Sequence, residues 1–138
     1  MRRGREETLV WMKYLVAGMG GFLGANARFI VGTWIGQKWG TAFPYGTLVI
    51  NVTGCFILGL FAALAERFPL SDTWRLLIAI GFVGAYTTFS TFEYETLQLV
   101  RHASLRFAGL NILGSVLLGY AAAYGGMVAA RLLTRAPI

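Results

Sequence analysis

Charge is what this chain of 138 residues most lacks. Asp, Glu, Lys and Arg make up 13% of it, against about 25% in an ordinary soluble domain. So few charges cannot cover a small globule, whose surface is large for its volume, and a water-soluble fold is excluded. The high content of apolar and aromatic residues excludes disorder. Histidine and cysteine are almost missing as well, with His102 and Cys55 the single examples of each. One cysteine closes no disulfide within the chain and builds no thiolate metal centre. One histidine, placed at a helix end, completes no nucleophile–His–acid set. There is no HExxH pair and no phosphate-binding loop. An enzyme is therefore not expected. The net charge of +6 would suggest nucleic acid in a soluble protein. Here the basic residues flank apolar runs and form no stripe along a groove, so no nucleic-acid partner is expected.

What the chain does have is four long apolar runs and a mean hydropathy of +0.62. A membrane-crossing helix needs about 20 apolar residues. Four such helices, about 9–35, 45–65, 74–100 and 105–133, use most of the sequence. The expected fold is an all-α membrane protein, with residues 1–138 as a single membrane domain in a lipid bilayer. Trp11, Trp34, Trp39 and Trp74 lie near run ends, as interfacial anchors do. Met1 to Thr8 form a charged cytosolic tail leading into a retained first helix, without a small-residue cleavage signal. Four helices with short connections put both termini on one side. Arg67, Arg75, Arg131 and Arg135 then lie on the side of the termini, and Lys38, Arg101 and Arg106 on the other. The helical body is nearly indifferent to orientation; Arg2, Arg3, Arg5 and Lys13 favour termini in the cytosol. No internal repeat is present. Many transporters build their pathway between two repeats of one chain, so a chain this small is expected to find its second half in another copy of itself.

The 18 glycines are concentrated in the runs, and pairs such as Gly20 and Gly24 let helix backbones approach closely. Polar residues inside the runs need a separate reason, because an unpaired polar group in hydrocarbon costs several kcal/mol. Arg28, with Asn26 nearby, either snorkels to the interface or supplies a vestibule charge that attracts anions. Thr47 and Asn51 are four apart and share a helix face. Asn51 either bonds a neighbouring helix or donates to an anion. In the third run Thr87, Thr88, Ser90 and Thr91 compete with the helix ladder, and Gly84 weakens it further. The third helix is thus expected to be broken, which membrane depth tolerates only where the backbone is buried in protein or lines a watery cavity. Phe89, Phe92 and Glu95 follow at three-residue spacing. Two phenylalanines so spaced are ordinary core residues; beside a hydroxyl cluster, their positive ring edges can also face a small anion without binding it too tightly to conduct. Asn111 and Ser115, four apart on the fourth run, can complete a polar track opposite them.

These residues resemble a known family. Gly46, Thr47 and Leu48 followed by Asn51, Gly54, Phe56 and Gly59 look like the second-helix motif of the CrcB/Fluc fluoride channels. Gly81, Phe82, Val83 and Gly84 leading into Thr87, Thr88, Phe89, Ser90, Thr91 and Phe92, with Glu95, resemble the third-helix signature. Gly21, Gly24, Ala25 and Arg28 resemble the first. The resemblance covers nearly the whole chain. It implies an antiparallel, dual-topology homodimer with two fluoride pores in the inner (plasma) membrane, passively exporting cytoplasmic fluoride. It further implies that Phe89 and Phe92 are the pore phenylalanines and Asn51 the pore asparagine. Thr47, Thr91 and Glu95 would belong to the polar track, with Arg28 as the vestibule arginine. A sodium ion at the dimer interface would be held by backbone carbonyls of Gly84 and Thr87. The sequence departs from the family pattern at Ala85, Tyr86, Phe107 and Asn111. A proton-coupled exporter of the small multidrug type is the rival, but it needs a carboxylate in the first helix, and residues 9–35 contain none. A structural subunit without transport would leave the polar track unexplained.

Overall fold

The computed structural model describes residues 2–134. Arg135, counted above on the side of the termini, lies outside them. Helix α1 spans Arg2–Trp39 and α2 Tyr45–Arg67. The third span starts with one turn, α3 (Asp72–Trp74), and winds on as a π-helix over Arg75–Val83. It ends its first half in another turn, α4 (Gly84–Tyr86). After an interruption at Thr87 and Thr88 it resumes as α5 (Phe89–Arg101), and α6 (Leu105–Leu133) completes the chain. The described residues contain no strand. Four spans, Leu9–Trp39, Tyr45–Arg67, Asp72–Arg101 and Leu105–Leu133, are long and apolar enough to cross a bilayer, so the all-α, four-span expectation holds.

The one large boundary difference is α1. Expected over 9–35, it has 38 residues and a length of about 57 Å, far more than the roughly 30 Å hydrocarbon layer needs. Hydropathy marks where lipid ends, not where helix ends. The tail and the Gln37–Lys38 end contain good helix formers, so the backbone stays helical until Gly40. That residue takes a left-handed φ of +77°, which glycine adopts without strain, and its N–H closes on Gly36. A second left-handed residue closes α5. Ala103, at φ 56°, donates to Val100, and Ser104 donates to Leu99, the paired bonds of a Schellman turn. Phe43 from the α1–α2 turn meets Phe107 at the start of α6 edge-on at 5.9 Å, so these two turns share one end of the molecule, as the alternating topology requires.

Two helix pairs are joined through glycine. A methyl on Gly20 would run into the Leu77 carbonyl, and one on Gly24 into the Phe82 carbonyl. A methyl on Gly81 would stand 2.6 Å from the Ala17 carbonyl. The backbone of α1 thus lies directly on the π-helical stretch. On the other side, Gly59 lies against the Ala123 carbonyl, and Gly126 against Phe56, joining α2 to α6. This is packing by contact area, the means available to helices in lipid. Trp11, Trp34, Trp39 and Trp74 are all about half exposed or more, consistent with interfacial anchoring.

Candidate functional site

The break in the third span organises the site. Thr87 (ψ 157°) and Thr88 (φ −150°, ψ 113°) are extended, so the helical ladder stops for two residues. Thr88 then caps α5. Its hydroxyl oxygen accepts from the Thr91 N–H at 3.3 Å and donates to the Thr91 hydroxyl at 2.9 Å. From α2, Asn51 closes the break on the other side. Its Oδ1 accepts from the Thr88 N–H at 2.8 Å, and its Nδ2 donates to the Thr88 carbonyl at 3.1 Å. The amide thus replaces the partner that the Thr88 N–H lost and adds a second donor to the Thr88 carbonyl, which also opens the α5 ladder as its N-cap. Of the two roles open to Asn51, the bond to a neighbouring element is present.

These bonds have a further effect. In an unbroken helix Gly84 would receive the Thr88 N–H and Thr87 would receive the Thr91 N–H. Both donors are engaged elsewhere, by Asn51 and by the Thr88 hydroxyl, so the break leaves these two carbonyls without their helical partners. Thr87 uses its own N–H and hydroxyl on the Val83 carbonyl, at 3.0 and 2.9 Å. The preceding turn is anchored by Tyr86, a departure from the family pattern. Tyr86 is buried, stacks on Phe82 at 5.7 Å, and shares a 2.9 Å hydrogen bond with Thr53 of α2. The Thr53 hydroxyl already donates to Val49, so Tyr86 is the donor. Gly54 makes room for this anchoring, since a Cβ there would overlap the Thr87 methyl.

Beside the break opens a cavity of about 880 Å³ bounded by α1, α2, α5 and the two turns at that end. Arg28, Thr47, Thr88, Thr91 and Glu95 all line it, with Gln98 and His102 further along α5. Five of the residues singled out in the sequence, Arg28, Thr47, Thr88, Thr91 and Glu95, are therefore brought together. Thr47 is buried and lines the cavity together with Glu95. Glu95 Oε2 is buried without a hydrogen bond. Among the described residues no acidic group pairs with Arg28, which lines the cavity. Because Thr91 accepts from Thr88, its own O–H remains available to the cavity. The wall thus carries a cation and a free hydroxyl donor, a set suited to a small anion.

The other predicted site residues lie elsewhere. Phe89 is 74% exposed on the outer surface of the chain, while Phe92, 5.8 Å away and tilted by 43°, is 7% exposed. Asn111 is fully buried. Its Nδ2 donates to the Thr96 hydroxyl at 2.8 Å, and Thr96 donates to the Phe92 carbonyl at 2.8 Å. Asn111 Oδ1 and Ser115 Oγ are buried without partners. The polar track on α6 is therefore packed behind Phe92 and does not line the cavity. Sequence reasoning passed over Thr96. The available signal was its position one turn after Phe92, where a threonine hydroxyl reaches the i−4 carbonyl.

Comparison with known proteins assigns the chain to a family. The profile of the family described as CrcB-like protein, Camphor Resistance (CrcB), matches residues 15–127. The chain belongs to the CrcB family. A relative from Acidobacterium capsulatum, named fluoride-specific ion channel FluC, is 54% identical over 118 residues, 85% of this chain and 94% of its own. Relatives of the same name from Solibacter usitatus and a Roseiflexus species are 48% and 45% identical over 121 and 123 residues. They cover 87% and 88% of this chain and 99% of their own length in each case. The CrcB match takes in every residue assigned above to the cavity and the break. The relatives bear the name of an ion channel, and this CrcB chain is not an enzyme.

Proposed function

We propose that this CrcB chain is a fluoride-selective passive channel that exports fluoride from the cytoplasm. The cavity that gathers Arg28, Thr47, Thr91 and Glu95 beside the broken span carries the reading, together with the name its relatives bear. Fluoride enters acidified cells as neutral HF, ionises inside and is trapped. An inside-negative potential then drives the anion outward with about 2.3 kcal/mol per charge per 100 mV, so neither nucleotide nor pump is required. Arg28 attracts the anion into the vestibule. The Thr91 hydroxyl replaces part of its water shell, and the ring edges of Phe89 and Phe92 carry it onward without a deep well.

The assembly is an antiparallel, dual-topology homodimer in the inner membrane, with two pores. The 74% exposure of Phe89 supports it, because one chain covers only one side of the path that ring would line. The near-even division of basic flank residues fits insertion in both orientations. A structural sodium ion at the dimer interface fits the break, since the carbonyls of Gly84 and Thr87 have lost their helical donors. When bound, the ion supplies positive charge and ligates oxygens that lipid would leave bare. A carbonyl site also agrees with the lack of any cluster of three His, Cys, Asp or Glu side chains among the described residues.

Liposomes containing the purified protein test the reading. They release fluoride and retain chloride, and Phe89→Ile or Phe92→Ile lowers the fluoride rate while the protein still elutes as a dimer. Equal chloride release refutes selectivity, and unchanged flux in both variants refutes the phenylalanine pore.

A further inference from the structure

Asn111 occupies an expensive position. It is fully buried in a membrane helix, yet its Oδ1 has no partner, and an unpaired buried acceptor is costly. An aliphatic side chain there would avoid that cost. What offsets it is on the other side of the amide, where Nδ2 donates to Thr96 at 2.8 Å. Thr96 is itself 6% exposed and passes its hydroxyl hydrogen to the Phe92 carbonyl at 2.8 Å. A threonine bonding its i−4 carbonyl is ordinary in a helix. Receiving a donor from another span is not, because the Thr96 oxygen then has one fixed role as acceptor and its hydrogen one fixed role as donor. The Phe92 carbonyl also belongs to the α5 ladder, so the bond is an additional restraint on a residue that is itself buried. Phe92 is 7% exposed, whereas Phe89, outside this relay, is 74% exposed.

From this geometry we infer that Thr96 and Asn111 are positioning residues for Phe92: the relay from α6 through Thr96 holds Phe92 in the orientation that passes fluoride. The inference rests on the pore role proposed for Phe92. Neither residue lines the cavity, so neither touches the anion there, and their effect is transmitted through one ring.

Fluoride efflux from liposomes, with chloride retention recorded in parallel, tests this with single and double variants. Thr96→Val keeps the branched shape and removes the relay hydrogen bonds; losing one bond of ordinary net worth corresponds to about a fivefold fall in fluoride rate. Thr96→Ser restores the rate. In the Phe92→Ile background, Thr96→Val produces no further loss, because the ring it positions is gone. Asn111→Leu tests the other link and lowers the rate with Thr96 in place, which keeps the inference testable if Thr96→Val fails to elute as a dimer. Unchanged rates in Thr96→Val and Asn111→Leu, with Phe92→Ile impaired, overturn the relay and leave the pore reading standing. Additive losses in the double variant overturn action through Phe92. An unimpaired Phe92→Ile overturns the pore role itself, and the inference with it.

Discussion

Replacing Asn51 by leucine removes the one side chain that bridges the break. The amide exchanges two hydrogen bonds with the Thr88 backbone, at 2.8 and 3.1 Å, and Thr88 is buried. The Thr88 N–H is then orphaned, at about 1–3 kcal/mol, while the Thr88 carbonyl, at the N-cap of α5, keeps its intrahelical bond. A loss of this size is local before it is global, because the remaining bonds of Thr88 run to Thr91 within α5 and none of them reaches α2. Amide hydrogen exchange of the full chain in detergent resolves it. Every 1.4 kcal/mol is about tenfold, so Thr88 exchanges at least about fivefold faster in Asn51→Leu, while amides in the α2–α6 contact around Gly59 and Gly126 change little. Asn51→Asp keeps the acceptor for the Thr88 N–H and loses only the donor, so its Thr88 amide stays more protected than that of the leucine variant. Equal exchange at Thr88 in wild type and Asn51→Leu would falsify the clamp and return Asn51 to a purely anion-facing role.

Three other outcomes follow from named contacts. Ala103 stands at φ 56°, a region costing an L-residue about 1–2 kcal/mol that glycine avoids, so Ala103→Gly raises the thermal midpoint in detergent, and a lowered midpoint rejects the Schellman assignment. Gly24→Ala drives a methyl into the Phe82 carbonyl while Gly18→Ala meets nothing within 4 Å; the first loses about 1–3 kcal/mol in a denaturant titration and the second is tolerated, and equal behaviour contradicts the α1 packing. Arg28→Gln removes a unit charge, worth about 0.5 kcal/mol at roughly 8 Å in water, or about twofold in anion occupancy. Its fluoride efflux is correspondingly lower at low ionic strength and flatter against added salt; a salt dependence identical to wild type removes Arg28 from the vestibule.

The features legible in the sequence are those imposed by the solvent. Bilayer thickness sets the length of each span, so four apolar runs specify four helices. The break was legible because Thr87 and Thr88 sit at membrane depth, where a competing side-chain hydroxyl is unusual. The partners of polar residues were not legible. Asn51 and Thr88 are 37 positions apart, and nothing local tells an amide bonded to backbone from one facing an ion. Asn111 and Ser115 share a helix face as expected, but which neighbour that face meets is decided by the glycine contacts at Gly59 and Gly126, and these turn it toward Phe92 and Thr96. The same limit applies to the helix end at Trp39, where hydropathy falls before the backbone departs from helical geometry.

The polar atoms at membrane depth divide into two groups with different uses. Asn51, Thr53, Tyr86, Thr87, Thr88 and Thr96 are bonded within the chain, and together they hold the broken span in place. The remainder are mostly acceptors: Glu95 Oε2, Asn111 Oδ1 and the carbonyls of Gly84 and Thr87. Acceptors repel an anion, so a fluoride path cannot run through them unshielded. Arg28 and the Thr91 hydroxyl offer donors on the cavity wall, which Glu95 shares, whereas the freed carbonyls belong to the break. Donors thus line the cavity and bare acceptors gather at the break, where the proposed cation fits. In the proposed dimer, each chain supplies half of a pathway and half of a cation site at the same break. A second copy that completes one completes the other, so loss of the break through an unbroken third helix removes both at once.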